Sequence, residues 1–175
     1  MHNTAYKNGE RFFNNYCSDS IENKVVLDIG SYDVNGTLKP IFSNAKKYIG
    51  LDQFEGPNVD MISSSHEIPL EDSSIDIIIS SSCFEHDDFF WLTFLEMSRL
   101  LKPSGFIYIQ APSNGPYHAF PTDNWRFYAD SWKCLEKWAV KNNYNIKLVE
   151  SYIDKENAHT DPAFWEDSVG IYKKL

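Results

Sequence analysis

The sequence predicts an α/β fold, in which a mostly parallel twisted sheet carries helices on both faces. Three observations lead to this prediction. The apolar runs of the chain are continuous rather than alternating, which indicates strands that are covered on both faces. Segments with helical spacing of apolar residues lie between several of these runs. The last two runs follow each other without a helical segment, which predicts an antiparallel pair at the edge of the sheet.

The chain begins with a polar segment that contains interleaved aromatic residues. We expect residues 1–20 to form a helical segment that lies on the main body of the fold. Short apolar runs separated by turn residues then predict the strands. The predicted strands are residues 24–29, 47–52, 58–63, 74–80, 105–111, 145–153 and 167–175.

The first internal helix is predicted in "DDFFWLTFLEMSRLL", residues 87–101. Its two leading acids suit a helix N-terminus, and the Lys-Pro-Ser-Gly sequence at 102–105 ends it. A second helix is predicted in "DSWKCLEKWAVKN", residues 130–142, with Asp130 or Ser131 as its cap. Both segments repeat apolar residues at helical spacing, so each is expected to bury one face.

The connection after the second strand is too short for an ordinary crossover helix. Only five residues, 53–57, separate that strand from the run at 58–63. Either the third strand is short and its crossover helix is missing, or residues 58–63 are not a strand. We favour the first interpretation.

Composition limits the possible functions. A length of 175 residues predicts one domain over residues 1–175. A net charge of −9 argues against a nucleic-acid partner, because phosphate binding requires clustered Lys and Arg. The three scattered cysteines predict neither a disulfide framework nor a zinc site. Without a signal peptide or a run long enough to span a bilayer, we expect a cytoplasmic protein.

Ligands of open parallel sheets bind outside the carboxyl ends of the strands, so the residues that follow each strand are the candidate site. Asp52 ends the second strand, about twenty residues after a glycine turn. An acid at that place suits the two hydroxyls of a ribose, although a solvated strand-end acid is the alternative. Gly30 permits close backbone approach to a ligand, or merely makes a tight turn. The dinucleotide fingerprint is absent, which disfavours a pyrophosphate cradle.

Four motifs in order resemble the class I S-adenosylmethionine-dependent methyltransferases, particularly the methyltransferase type 11 group. They are "VVLDIGSYDVNG", "YIGLD", "HEIPLEDSSIDIIISSSCFEH" and "EMSRLLKPSGFIYIQAP", and together they cover residues 24–113. The resemblance implies a Rossmann-like fold and S-adenosyl-L-methionine as cofactor, with S-adenosyl-L-homocysteine as product. Two residues depart from the family pattern. Tyr32 stands where a second glycine is usual, and Ser64 stands where an acid commonly meets adenine.

The resemblance also implies a layout for the cofactor. Asp28 would orient water or the methionine ammonium, Gly30 and Ser31 would line the methionine part, and Asp52 would hold the ribose. The adenine would lie beside Ser64, Ser65 and His66, and the methyl-bearing sulfur beside Ser82 and Cys83. The predicted cofactor residues are Asp28, Gly30, Ser31, Tyr32, Asp52, Gln53, Ser64, Ser65, His66, Ser82 and Cys83.

The segment 112–131 has neither a helical nor a strand period and is rich in proline and aromatic residues. Loops of this length in a compact domain are usually functional or disordered, and the aromatic content argues against disorder. We therefore expect an acceptor-side loop that uses Tyr117, Trp125 and Arg126 for the substrate. The alternative is that Trp125, Phe127 and Tyr128 anchor the loop to the core, which we expect above all for Phe127.

A catalytic base is needed only if the acceptor must lose a proton. The candidates are His118, His86 and Asp123. His118 and Asp123 form a base and its orienting group in one interpretation, and hydrogen-bonding groups for the acceptor in another. An Arg126–Asp123 ion pair that fixes the loop is the structural alternative. No cluster has metal-ligand spacing in the sequence, so no metal is predicted.

The function favoured by the sequence is methyl transfer to a small-molecule or glycan acceptor. One alternative is an NAD-dependent oxidoreductase of Rossmann type, which the incomplete glycine fingerprint disfavours. A second is a non-catalytic methyltransferase-like binding module, which the departures at Tyr32 and Ser64 keep open. The acceptor and the oligomeric state are not predicted.

Overall fold

The computed structural model describes residues 3–155 and 165–175. These residues form a seven-stranded sheet and three α-helices. The helices are α1 (Asn3–Tyr16), α2 (Phe90–Leu100) and α3 (Ala129–Lys141). The strands are β1 (Val25–Ile29), β2 (Lys47–Asp52), β3 (Met61–Ile62), β4 (Ile75–Ser81), β5 (Leu101–Asn114), β6 (Ile146–Asp154) and β7 (Glu166–Lys174).

The strand order is β3-β2-β1-β4-β5-β7-β6. The first five strands pair in parallel, and β7 pairs antiparallel with both β5 and β6. This confirms the predicted fold class, with an antiparallel pair at one edge. The strand order reverses between β1 and β4, which therefore mark the switch point of the sheet.

Alternate side chains of the central strands feed two separate cores. On one face, Val26 and Ile77 join Phe12 of α1, whose ring stacks on Tyr108 with centroids 4.9 Å apart. On the opposite face, Leu27 and its neighbours pack against α2 and α3. Helices therefore cover both faces, as the continuous apolar runs predicted.

Helix α3 is held by its single fully buried tryptophan. Trp132 stacks on Phe127 with centroids 5.1 Å apart, and its indole Nε1 donates a hydrogen bond to Ser168 Oγ at 2.8 Å. The predicted cap is wrong: Tyr128 is the N-cap residue, and Asp130 and Ser131 lie inside the first turn. The Ser131 hydroxyl instead accepts a hydrogen bond from the Tyr128 amide.

The short connection after β2 is a loop, and β3 has only two residues. This confirms the favoured interpretation that the crossover helix is missing. The connection from β1 to β2 also lacks an α-helix and contains only a 3₁₀ turn, Lys39–Phe42. Strand β5 begins earlier than predicted, at Leu101, because residues 101–105 continue alongside β4 instead of forming a separate turn. It also ends later, at Asn114, and α3 begins at Ala129, so the irregular part of the predicted 112–131 loop is residues 115–128.

Much of the predicted irregular connection between the last two strands lies outside the described residues. Within the described part of the chain, no helix is long and apolar enough to cross a bilayer.

Replacing Phe12 tests whether α1 is an integral part of the core. Phe12→Ala removes a buried ring that stacks on Tyr108, so we expect the free energy of unfolding to fall by about 3–5 kcal/mol. Urea denaturation followed by circular dichroism measures this change. Glu10→Ala, at an exposed position of the same helix, is the control and should change stability by less than about 0.5 kcal/mol. Equal stability of the two variants would show that α1 is dispensable.

Candidate functional site

A cavity of about 580 Å³ opens at the carboxyl ends of the parallel strands. Its walls come from the segments that follow β1, β2, β3 and β4, together with part of the 112–131 loop. All of the predicted cofactor residues line it: Asp28, Gly30, Ser31, Tyr32, Asp52, Gln53, Ser64, Ser65, His66, Ser82 and Cys83. The switch point therefore brings together residues that are far apart in the sequence.

Asp28 is a buried carboxyl group at the end of β1. It accepts a hydrogen bond of 2.5 Å from the Tyr48 hydroxyl on the neighbouring strand β2. Burial disfavours the charged form and raises the pKa of Asp28 to about 7, although the Tyr48 hydrogen bond opposes the shift. A cationic ligand group beside Asp28 would restore its ionised form.

Gly30 makes the turn after β1 with a φ of +81°, a conformation that favours glycine. A Cβ atom at this position would lie 2.5 Å from the Cβ and Sγ atoms of Cys83. The amides of Gly30 and Ser31 both donate to the Leu51 carbonyl, at 2.9 and 3.0 Å. Gly30 is thus required for the close approach of two loops, and its amide is already engaged within the protein.

Asp52 lies half-buried at the end of β2 and stabilises the loops on either side of it. Its carboxylate oxygens accept hydrogen bonds from the Tyr32 amide at 3.2 Å and from the Phe54 amide at 3.1 Å. Each oxygen can accept a further hydrogen bond from a ligand in the cavity. The Tyr32 ring packs on Gly56, which shows how a tyrosine is accommodated where the resemblance leads one to expect a glycine.

The rim formed after β3 depends on Asp87, which the sequence analysis missed. Asp87 Oδ1 lies 2.8 Å from His66 Nε2, and Asp87 Oδ2 accepts a hydrogen bond of 2.5 Å from Thr93. Thr93 Oγ1 also lies 2.9 Å from Ser65 Oγ, and because its own proton is directed to Asp87, it accepts this second hydrogen bond from the Ser65 hydroxyl. Asp87 is one of the two leading acids of the predicted helix, and this acidic pair could have indicated a site residue. The sequence analysis assigned the pair to the helix N-terminus rather than to the cavity wall.

Two further missed residues form the floor of the cavity. Gln110 of β5 accepts a hydrogen bond from the Ser82 hydroxyl at 3.2 Å and donates one to Asp167 of β7 at 2.7 Å. Burial raises the pKa of Asp167 to about 6. Burial of the Cys83 thiol raises its pKa well above the usual range, which keeps it protonated rather than nucleophilic.

The 112–131 segment contributes His118 to the cavity, while Asp123 lies behind it. Arg126 binds the Asp123 carboxylate with both terminal nitrogens, at 2.5 and 2.7 Å, and holds the pKa of that carboxyl well below its usual range. His118 Nδ1 lies 3.2 Å from Asp123 Oδ2. The predicted ion pair and the predicted His118–Asp123 pair therefore coexist.

The predicted acceptor residues Tyr117, Trp125 and Arg126 do not line the cavity. Tyr117 is largely exposed, and the Trp125 indole donates to the Asp87 carbonyl at 2.9 Å while its ring packs against Phe90. Phe127 is buried, as the anchoring alternative predicted, whereas Tyr128 is largely exposed and does not anchor the loop. Contact of the three residues with an acceptor stays a prediction.

His86 also lines the cavity, next to His118, with their ring centroids 4.8 Å apart. The Glu85 carboxylate lies close to both imidazoles in space. The sequence analysis did not assign Glu85 to any role. One ligand-type atom from each of Glu85, His86 and His118 lies within 4.8 Å of the others. Thirty-one residues separate His118 from His86 in the chain. Motifs with short metal-ligand spacing therefore do not reveal this grouping.

Comparison with known proteins shows that this chain is similar to methyltransferases. Residues 27–109 match the type 11 family model that is described as a methyltransferase domain. A methyltransferase-like protein of Schizosaccharomyces pombe, itself uncharacterized, is 31% identical over 98 residues. That match covers 48% of this chain but only 36% of the yeast protein.

Solved structures share the fold at low sequence identity. The 1,6-didemethyltoxoflavin-N1-methyltransferase of Burkholderia thailandensis, solved with bound 1,6-didemethyltoxoflavin and S-adenosylhomocysteine, has a TM-score of 0.67 and 17% identity. The likeness covers 98% of this chain and 84% of that one. The [4+2]-cyclase SpnF has a TM-score of 0.70 and 12% identity, over 97% of this chain and 81% of that one. Because one fold serves both reactions, the activity has to be argued from the site.

The raised pKa of Asp28 predicts a specific dependence of stability on pH. Its pKa is about 7 in the folded protein and about 3.9 in an unfolded chain, so the folded state binds the additional proton between these values. The stability that this proton contributes is present below pH 4 and is lost as the pH rises through 7.

We expect Asp28→Asn to remove this contribution. Relative to the variant, the wild type should lose about 2–3 kcal/mol of unfolding free energy between pH 5 and pH 8. Urea titrations of both proteins at unit pH intervals measure the difference. Asn can still accept the Tyr48 hydrogen bond, and Asp167 titrates in both proteins, so its effect cancels. Parallel pH profiles would show that Asp28 is not perturbed.

Proposed function

We propose that this protein binds S-adenosylmethionine and transfers its methyl group to a small-molecule or glycan acceptor in the cytoplasm. The match of residues 27–109 to the methyltransferase type 11 family model and the fold that the described chain shares with solved methyltransferases support this proposal. One observation carries the proposal: all of the residues that the family resemblance assigned to the cofactor line a single cavity at the switch point. Its volume of about 580 Å³ is in the range of small-molecule sites.

In the proposed complex, Asp52 accepts hydrogen bonds from the ribose hydroxyls. The carboxylate is already fixed by two backbone amides, so little conformational freedom is lost when the ribose binds. The adenine lies beside Ser64, Ser65 and His66. The exposed ring of Phe54, which follows Asp52 and lines the cavity, offers an apolar surface on which adenine stacks.

The methionine part lies beside Gly30, Ser31 and Asp28. Its ammonium group carries a positive charge, and Asp28 is the buried carboxyl group at that end of the cavity. An ammonium within ion-pair distance favours the ionised carboxylate and offsets the cost of burying both charges. The raised pKa of Asp28 in the ligand-free protein fits a group whose cationic partner arrives with the cofactor.

The sulfonium methyl lies beside Ser82 and Cys83, and the acceptor enters from the side of the 112–131 loop. Transfer is an in-line displacement, so the main task of the protein is to position the two reactants. His118, oriented by Asp123, is the candidate base for an acceptor that loses a proton, with His86 as its neighbour. The Glu85 carboxylate raises the pKa of His118, which strengthens it as a proton acceptor.

The NAD-dependent oxidoreductase has less support from the geometry. Dinucleotide sites place the pyrophosphate at a helix N-terminus directly after the first strand. Between β1 and β2, residues 30–46 contain only a short 3₁₀ turn, and the Gly30 amide is occupied by the Leu51 carbonyl. A non-catalytic module would bind the cofactor without transferring its methyl group. Measurement of turnover therefore distinguishes such a module from an enzyme.

Calorimetry with S-adenosylhomocysteine and with NAD tests the proposal. We expect the purified full chain to bind one equivalent of S-adenosylhomocysteine and no NAD. Binding of NAD alone would indicate the oxidoreductase, and binding of neither would leave the fold as a scaffold. Incubation with a labelled methyl donor and a panel of candidate acceptors then separates an enzyme from a binding module.

Substitution of Asp52 tests the ribose contact. Asp52→Ala should weaken S-adenosylhomocysteine binding by about 1–3 kcal/mol, the scale of hydrogen bonds to a charged group. Asp52→Asn retains one acceptor oxygen for the backbone amides and should lose less. The matched control is Glu55→Ala, which removes an exposed acid of the same loop that does not line the cavity. Wild-type affinity in Asp52→Ala would exclude this residue from the site.

A further inference from the structure

We propose that Glu85, His86 and His118 form a binding site for one divalent transition-metal ion, with zinc as the preferred ion. The residues supply two imidazoles and one carboxylate, a donor set that suits zinc and other first-row metals. All three line the cavity, so a bound ion would have open coordination positions that face the ligand space.

Glu85 is the first support for this site. Its side chain is only 1% exposed, and neither carboxylate oxygen has a hydrogen-bond partner among the described residues. An ionised carboxylate that is buried without hydrogen bonds costs several kcal/mol unless positive charge nearby compensates it. The two imidazoles within ion-pair distance, His86 and His118, supply such charge only when they are protonated. A metal ion supplies that compensation directly.

The spacing around Glu85 is the second support. His86 Nε2 lies 3.6 Å and His118 Nε2 lies 3.7 Å from Glu85 Oε1. Both distances are too long for hydrogen bonds. Two ligands of one zinc ion, each bonded at about 2.1 Å with a tetrahedral angle between them, lie about 3.4 Å apart. Both histidine–glutamate distances are therefore close to those of zinc ligands, while the three atoms as a set lie within 4.8 Å and have to move closer together to bind one ion.

The outer nitrogen of His86 is the third support. His86 Nδ1 is 2.5 Å from the Thr122 carbonyl, so it carries the proton of this hydrogen bond and Nε2 keeps its lone pair for a metal. Metal-binding histidines typically place their second nitrogen against a carbonyl or carboxylate in this way, which fixes the ring and its tautomer. His118 Nδ1 lies 3.2 Å from Asp123 Oδ2 without forming a hydrogen bond, and Asp123 instead holds this residue by accepting a hydrogen bond of 2.8 Å from its backbone amide.

His66 provides an internal comparison. It also lines the cavity and lies 2.8 Å from Asp87, a hydrogen-bond distance that leaves no room for an ion between them. The other carboxylate oxygen of Asp87 accepts a hydrogen bond from the Thr93 hydroxyl, whereas the Glu85 carboxylate lies near a second imidazole. The pairs that involve Glu85 thus differ in both distance and donor set from an ordinary histidine–carboxylate pair in the same cavity.

A bound ion changes how an acceptor would be activated. With an ion bound, the Nε2 lone pair of His118 would be engaged and could not accept a proton, and the ion would instead lower the pKa of an acceptor oxygen bound at an open position. This consequence rests on the proposed methyl transfer. The metal site itself does not, because it is tested without cofactor or acceptor.

Calorimetric titration of the tag-free, chelator-treated full chain with zinc chloride is the test. We expect one equivalent to bind, and we expect cobalt chloride to give visible absorption bands typical of nitrogen and oxygen ligands at low coordination number. Glu85→Gln and His118→Gln should each abolish this equivalent. His66→Gln, the matched control, should retain it.

Asp123→Asn is a second kind of variant, because Asp123 positions His118 without contacting the ion. We expect it to weaken zinc binding about 10–100-fold while the stoichiometry stays at one. If Glu85→Gln does not fold, as judged by circular dichroism, His118→Gln decides the outcome, since its side chain is about one-third exposed. Absence of zinc and cobalt binding in the wild type, or binding that persists in both ligand variants, would overturn the proposal.

Discussion

The close approach of the two loops that follow β1 and β4 is the constraint on which the site depends. These strands are neighbours at the point where the sheet order reverses, so their loops lead to opposite sides and leave a crevice between them. Gly30 and Cys83 are in contact there, and only a residue without a side chain fits the position of Gly30. The Ser80 hydroxyl donates to the Ile29 carbonyl at 2.9 Å and fixes the same junction from below. This contact therefore fixes the positions of the cavity walls relative to each other.

Negative charge is the second common property of the cavity. Its lining includes the carboxyl groups of Asp28, Asp52, Glu85, Asp87 and Asp167. Burial raises the pKa of Asp28 and Asp167, which reduces the repulsion in the ligand-free protein by favouring their neutral forms. Such a site selects cationic ligands. The sulfonium and ammonium of the proposed cofactor and a divalent metal ion all meet this requirement, at different ends of one space.

Sequence patterns predicted the sheet, its antiparallel edge and the cofactor side of the cavity, because each of these depends on local runs and on the residues directly after them. The same reasoning missed Gln110 and Asp167, whose hydrogen bond joins two strands that are distant in the chain. It likewise missed the grouping of Glu85 with His118, which the folding of the 112–131 loop over α2 brings about. Contacts of this kind are set by tertiary packing, and no sequence spacing reports them.

The position of β7 between β5 and β6 has a consequence for biosynthesis. A nascent chain can form the parallel half of the sheet as it leaves the ribosome, but β5 has no neighbour on its outer side until the C-terminal strand arrives. The Asn8 side chain of α1 also lacks these hydrogen-bond acceptors until then, since it donates to Asp154 of β6 and Asp167 of β7. The first helix and β7 thus complete each other, and Asp167 takes its place in the cavity lining only when β7 has joined the sheet.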